Sequence, residues 1–365
     1  MTVTITAIET VSLRIPLDIW APPPMTSHGG PRTHFETLLV RVTASNGVVG
    51  WGEAFATARP MVIAAFDTWV RRLAVGGSVT DDKLLPGIER RLMSLGRMGP
   101  VIAALSGLDI ALWDIRGKLA GVPVHALIGG AKRNRIECYA SLLHYHGYPE
   151  HLKRATARAL ERGYRFVKLH ERTAEAVANA RSVTGPDIPL MVDTNCAWTA
   201  TEAEAQVAAM APYHPYWVEE PLYPPEDYET LARIGKTTGV PLGMGENATS
   251  LADFRTMVAS GAADFVQPSI VKIGGITAMM TVAREVEAMG AVCVPNAFYV
   301  GPAFLAAVHC MAAKDKASPL ERLFADLGAV PFANTVPVQD GGVDVPAGPG
   351  LGADPEPELL EGFAV

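Results

Sequence analysis

Three carboxylates stand at the ends of three successive apolar runs: Asp193 in MVDTN, Glu219 in WVEEP and Glu246 in GMGEN. They lie 26 and 27 residues apart, the length of one strand-plus-helix unit each. Neighbouring strands lie about 4.8 Å apart, so side chains leaving corresponding ends of such runs converge on one point. Three converging carboxylates repel one another and call for a cation. An all-oxygen set favours a hard divalent ion that keeps positions open for substrate, so Mg²⁺ is expected ahead of Ca²⁺ or Mn²⁺, and zinc is not expected. Any one of these acids would also suit a helix N-terminus, but that explanation is weak for all three in consecutive units. One run earlier, FVKLH places Lys168 and His170 two apart, on the same face of an extended chain. A buried lysine needs a partner, and the carboxylates supply one. His170 suits a general base near neutral pH.

The elements that must position these groups are legible as a repeat. Apolar runs begin near Tyr164, Pro189, Tyr216, Pro241, Asp264 and Ala291, each followed by a polar helical segment. Runs too apolar to be half exposed, at that period, predict parallel strands crossed over by helices. Strands at Glu137–Ser141 and Leu320–Leu323 bring the number to eight, and polar residues recur where each run stops, as in a (β/α)8 barrel. An open sheet would be expected to carry a Gly-rich nucleotide turn, and Gly243-Met244-Gly245 is too short for one.

Ahead of the barrel, residues 3 to 15 alternate, Glu36–Thr43 forms a second extended run, and Ser45-Asn46-Gly47 turns it into Val48–Glu53. From Thr80 to about Leu127 the spacing is helical and stops at Gly121-Val122-Pro123. The fold class predicted is α/β: a TIM-type barrel over residues 131–324 beside an α+β unit over 1–130, with the tail 325–365 folding back to complete that unit. The net charge of −7 argues against a nucleic-acid binder, and no apolar stretch is long enough for a membrane span. Four scattered cysteines in apolar runs read as reduced thiols, so a cytoplasmic protein is expected.

Together with ALSGLDIALWDIRGKLAGVPVHALIGG, the KIGG turn at Lys272–Gly275 and LER at Leu320–Arg322, these motifs resemble the mandelate racemase and muconate lactonizing branch of the enolase superfamily. The resemblance spans essentially the whole chain. It implies a capping domain built from both termini over a modified barrel, Mg²⁺ on Asp193, Glu219 and Glu246, a homo-oligomer, and removal of the proton α to a substrate carboxylate with an ene-diolate developing. By the same likeness His170 is the base, where racemases of the family usually have a second lysine. Lys168 touches the substrate carboxylate and disfavours charge on His170, and Glu321 hydrogen-bonds the ene-diolate as a proton donor.

The departures point to the reaction. Ser269 and Asn296 occupy the sixth- and seventh-strand positions where the family carries an Asp–His dyad or a Lys, and neither is a strong base at pH 7. A two-base racemisation loses its second base; a one-base syn dehydration of a sugar acid or small hydroxy acid does not. The rivals are an epimerase, racemase or cycloisomerase, and a catalytically impaired carboxylate-binding protein. Substrate recognition is expected from the loop Pro22–Phe35, with His28 and Arg32, the latter suited to a distal carboxylate or hydroxyls. Asn195, Asn247, Ser269, Asn296 and Phe298 complete the expected contacts with a small-molecule carboxylate. Lys272 reads as paired with a neighbouring acid, and His144 or His146 as an alternative acid on the second face.

Overall fold

In the computed structural model, which describes residues 2–26, 29–330 and 338–365, three antiparallel strands open the chain: β1 (Ile5–Asp18), β2 (His34–Ala44) and β3 (Val49–Ala54). The helix Pro100–Ala120 crosses one face of this sheet, with proline in its first turn and Gly121 at φ 68° ending it. Its small residues allow unusually close packing on β3. A Cβ on Gly52 would fall 1.9 Å from the Gly107 carbonyl oxygen, so no other residue fits there. Helical turns between Arg59 and Ala74 bury Val62, Phe66, Val70 and Ala74 in the same cluster.

Eight parallel strands follow: β4 (Arg135–Ser141), β5 (Val167–Leu169), β6 (Leu190–Asp193), β7 (Trp217–Glu219), β8 (Leu242–Met244), β9 (Phe265–Val266), β10 (Val292–Cys293) and β11 (Leu320–Leu323). Their order is β11-β4-β5-β6-β7-β8-β9-β10, a curled sheet in which β11 returns beside β4. Among the described residues no ladder joins β10 to β11. Ser318 Oγ, donating to the Cys293 carbonyl at 2.8 Å, spans that seam instead.

The chain after β11 divides its contacts. β12 (Asp326–Leu327) pairs with β1, whereas β13 (Gly342–Asp344) runs antiparallel to β4 of the barrel. Leu351 N then donates to Asp114 in the long helix, and the final helix Pro357–Phe363 sets Leu359 against Leu13, Ile15 and Trp51 of the cap sheet. The tail therefore stitches the two sheets together, and is more than the completion of the cap that its position in the sequence suggested. No helix among the described residues is long and apolar enough to cross a membrane.

Two buried acids of the cap dock it onto barrel helices. Asp109 accepts from Thr277 N at 3.0 Å and Thr277 Oγ1 at 2.6 Å at the start of the helix Gly275–Ala288, and Ser106 Oγ accepts from Gly274 N at 2.8 Å. The KIGG turn has glycines because the cap presses on it: a Cβ on Gly275 would lie 2.4 Å from Asp109 Oδ2. Glu53, at the end of β3, accepts from Thr37 Oγ1 at 2.7 Å and from Ala303 N at 3.0 Å, at the start of the helix Pro302–Ala313. Both carboxylates sit where helix N–H groups lack internal partners. Asp109→Ala is expected to lower stability by ~2–3 kcal/mol, because buried donors are left unpaired, and Asp109→Asn by less. Urea denaturation midpoints check this; a loss in Asp109→Ala below ~0.5 kcal/mol would show that the dock contributes little.

Candidate active site

Strand register accounts for the convergence of the acids. Asp193 and Glu219 are direct partners across β6 and β7, and both end their strands. Glu219 faces Gly243 on β8; three residues on, after Gly245 at φ 119°, Glu246 comes back over the mouth. Carboxylate oxygens of Asp193, Glu219 and Glu246 all lie within 4.8 Å of one another.

Lys168 sits beneath them, fully buried. Its Nζ donates to Asp193 Oδ2 at 3.1 Å and Glu219 Oε1 at 3.0 Å, and lies 2.9 Å from Glu321 Oε1. Two of its protons are thereby donated to carboxylates and its charge lies against a third, and Lys168 does not line the cavity described below. Glu321 also accepts from Ser141 Oγ at 2.8 Å, Asn296 Nδ2 at 2.9 Å and Ala297 N at 3.0 Å. Both of its oxygens thereby accept hydrogen bonds within the protein.

His170 follows β5 and reaches the level of Asp193. Its Nδ1 bonds the Leu142 carbonyl, and its Nε2 lies 3.2 Å from Asp193 Oδ2. Burial opposes charge on this ring, but the Asp193 carboxylate outweighs burial and the repulsion from Lys168, and the imidazole pKa is raised. Lys168 does disfavour the charged ring, as the sequence led one to expect, but nothing in the sequence signalled that Asp193 would outweigh it.

The acids differ in the same terms. Burial works against Asp193, yet Lys168 and His170 hold its carboxyl well below the usual range. Burial, then Asp193, raises Glu219 despite Lys168. Burial, then Glu220, pushes Glu246 up to about 7 against the pull of Lys272.

Above this floor a cavity of about 520 Å³ lies between the barrel mouth and the cap. Of the residues expected to act on substrate, His170, Glu321, Arg32, Asn195, Asn296 and Phe298 line it, as does Glu246. Lys168, Asp193 and Glu219 lie below it, and His28 falls outside the described residues. Two expected contacts are turned elsewhere. Asn247 donates to Glu220 Oε2 at 2.7 Å and lines a separate cleft, and Ser269 Oγ is bonded to the Tyr299 hydroxyl.

The sequence reading passed over several of the supporting groups. Glu220, the neighbour of a metal-site acid, is buried and accepts from Asn247 and from Cys196 Sγ at 3.3 Å. Gln267 Nε2 and Trp217 Nε1 orient Glu219 Oε2 from 2.6 and 3.0 Å. Asn296 Nδ2 donates to both Glu246 Oε2 (3.0 Å) and Glu321 Oε2, which turns its Oδ1 toward the Tyr299 hydroxyl, donating at 3.3 Å. The doubled Glu in WVEEP was the one visible signal among these.

A divalent cation fits this site on two counts. The three oxygens can share one ion, and the single Lys168 ammonium cannot balance four crowded carboxylates. The comparisons agree. Residues 10–129 match the mandelate racemase / muconate lactonizing enzyme N-terminal domain, and residues 151–359 match the enolase C-terminal domain-like family. The chain is 30% identical over 347 residues to D-galactarolactone cycloisomerase of Agrobacterium fabrum, covering 89% of this chain and 90% of that one. It is 29% identical over 353 residues to D-gluconate dehydratase of Thermoproteus tenax, covering 90% of this chain and 69% of that one. A crystal structure of a racemase from Streptomyces coelicolor A3(2) with bound magnesium superposes with a TM-score of 0.86 at 28% identity, covering 99% of this chain and 100% of that one. The cofactor is Mg²⁺, the substrate is a small acid, and the chemistry begins with removal of the proton α to its carboxylate. The chain belongs to the mandelate racemase / muconate lactonizing enzyme group of the enolase superfamily.

Proposed function

We propose that this enzyme dehydrates an acid sugar by syn elimination, with His170 as its one base. The observation that carries the reading is an asymmetry across the barrel. β9 lies four strands from β5 and so opposite it, and beyond β9 and β10 stand Ser269 and Asn296, a hydroxyl and an amide tied to Tyr299 and to the acids. Neither offers a base for the second face.

Bound Mg²⁺ supplies the positive charge against which the substrate carboxylate takes up the electron pair from the α-carbon. His170 does the proton work. Its Nδ1 proton is assigned to the Leu142 carbonyl from the hydrogen bond, which makes Nε2 the atom that accepts the α-proton. Asp193 steadies the resulting imidazolium from 3.2 Å. That proton then goes to the β-hydroxyl as its C–O bond breaks, and water leaves from the same face. Asn296 and Lys168 hold Glu321 in place at the cavity wall.

Likeness to a D-gluconate dehydratase supports this reading, and likeness to a D-galactarolactone cycloisomerase supports a second, in which His170 exchanges the proton without loss of water. We assign the activity to the cytoplasm, in keeping with four free cysteines, three of them buried. We also expect a homo-oligomer, an assignment that rests on the family likeness alone.

Incubation of D-gluconate, D-galactonate and their lactones with enzyme and Mg²⁺ in deuterated water, followed by mass and proton NMR, separates the two: water loss supports the dehydratase, α-deuteration at otherwise constant mass the isomerase. His170→Ala is expected to cut α-exchange at least about a hundredfold, and undiminished exchange would remove His170 as the base. Mg²⁺ binding has its own signature. Glu246 and Glu219 have raised pKa values, so protons compete with the ion at low pH and are lost as pH rises. Affinity from calorimetry is expected to climb through about pH 7, by up to about tenfold per unit for each proton displaced. An affinity that stays flat from about pH 6 to 8 would contradict the assignment.

A further inference from the structure

The cap contributes positive charge to the wall of the cavity. Arg14 on β1 and Arg32 on the loop before β2 both line it. Among the described residues neither guanidinium makes a hydrogen bond or ion pair. Arg14 is exposed, but Arg32 is half buried, and burial pulls its pKa below the ordinary guanidinium value while nearby Glu36 acts the other way. Glu36 does not close on Arg32; its ion pair is with Arg59, at 3.9 Å. The one other lysine or arginine among the lining residues, Lys272 on the barrel side, is already engaged by the Glu246 carbonyl at 3.0 Å and Asn247 Oδ1 at 3.2 Å.

Arg32 is held over the site by backbone on both sides. Its N–H donates to the Pro24 carbonyl at 2.7 Å, Met25 bridges to Pro31, and Leu17 N donates to the Thr33 carbonyl at 2.9 Å. Three residues on, Phe35 packs on Phe298 at 6.1 Å between ring centroids, and Phe298 packs on His170 at 6.3 Å. A half-buried guanidinium without a partner costs free energy, and its planar fork suits a carboxylate or a phosphate.

We propose that the substrate carries a second anionic group, a carboxylate or a phosphate, at the end remote from the metal acids, and that Arg32 receives it. This inference rests on the acid-sugar reading above and narrows it to dianions. D-gluconate, the acid in the name of one relative, is a monoanion, so the two substrate classes are distinguishable.

The test is equilibrium binding in the presence of Mg²⁺, by calorimetry, of three acids of one configuration: D-gluconate, D-glucarate and 6-phospho-D-gluconate, with D-galactonate and galactarate as a second series. One dianion is expected to bind roughly tenfold to a hundredfold more tightly than its monoanion, the range for one charge-assisted pair. In Arg32→Gln that ratio is expected to fall to near one, and Arg32→Lys should restore part of it. Mg²⁺ titration of each variant reports whether it has folded. Glucarate binding more tightly than the phosphate ester identifies the group as a carboxylate, and the reverse order identifies a phosphate. A monoanion bound as well as its dianion, a preference that survives Arg32→Gln, or no binding by any of the five overturns the inference. α-Deuteration without a dianion preference removes this inference and leaves the acid-sugar reading standing. A dianion preference without exchange or water loss does the opposite.

Discussion

Four carboxylates in a buried barrel mouth must be kept together against their own repulsion, and the rest of the structure follows from that constraint. Unit charges about 4 to 5 Å apart interact weakly in water but by several kcal/mol where solvent is excluded. Lys168 is placed to meet this, one ammonium touching Asp193, Glu219 and Glu321 from below. That position leaves the upper side of the acids open for a divalent ion and a substrate. It also requires register: a slip of one residue in β6 or β7 would turn Asp193 or Glu219 out of the barrel and an apolar neighbour in.

The same residues hold the barrel closed. Where β10 and β11 lack a ladder, Asn296 Nδ2 and Ala297 N reach across to Glu321. The Asn296 amide also ties the acid beyond β8 to the acid of β11. The cap completes the enclosure through Asp109 and Glu53, each placed at the start of a barrel helix. Glu53 also lines the cavity, where burial pushes its pKa up to about 7. Docking of the cap and shaping of the site thus share a side chain.

What the sequence made legible was what repeats. Apolar runs at one period placed six of the barrel strands, a strand added on either side of them made eight, and the acids at their ends followed, because strand ends in a barrel have few places to point. Val62, Phe66, Val70 and Ala74 recur at helical spacing in a segment the reading left unassigned, so that signal was present and unused. The polar network was not legible. Tyr299 orients through Asn296 and Ser269 from different strands, and no spacing in the chain announces which way an amide turns. The charge preference of His170 was misread for a similar reason. Lys168 is two residues away in sequence, but Asp193, on the next strand, is the group its Nε2 meets.

That last contact bears on the proposed reaction. A base that must return its proton on the same face benefits from a conjugate acid stable enough to persist while the β C–O bond breaks. Asp193 supplies that stability, and the same carboxylate, facing the metal position, ties the readiness of His170 to the state of the acid cluster. A racemase needs a second proton source across the barrel, and there this chain has placed groups whose hydrogen bonds are spent on holding Glu246, Glu321 and Tyr299. In the proposed reaction, proton transfer is concentrated on one wall and structural support on the other, an arrangement suited to elimination from a single face.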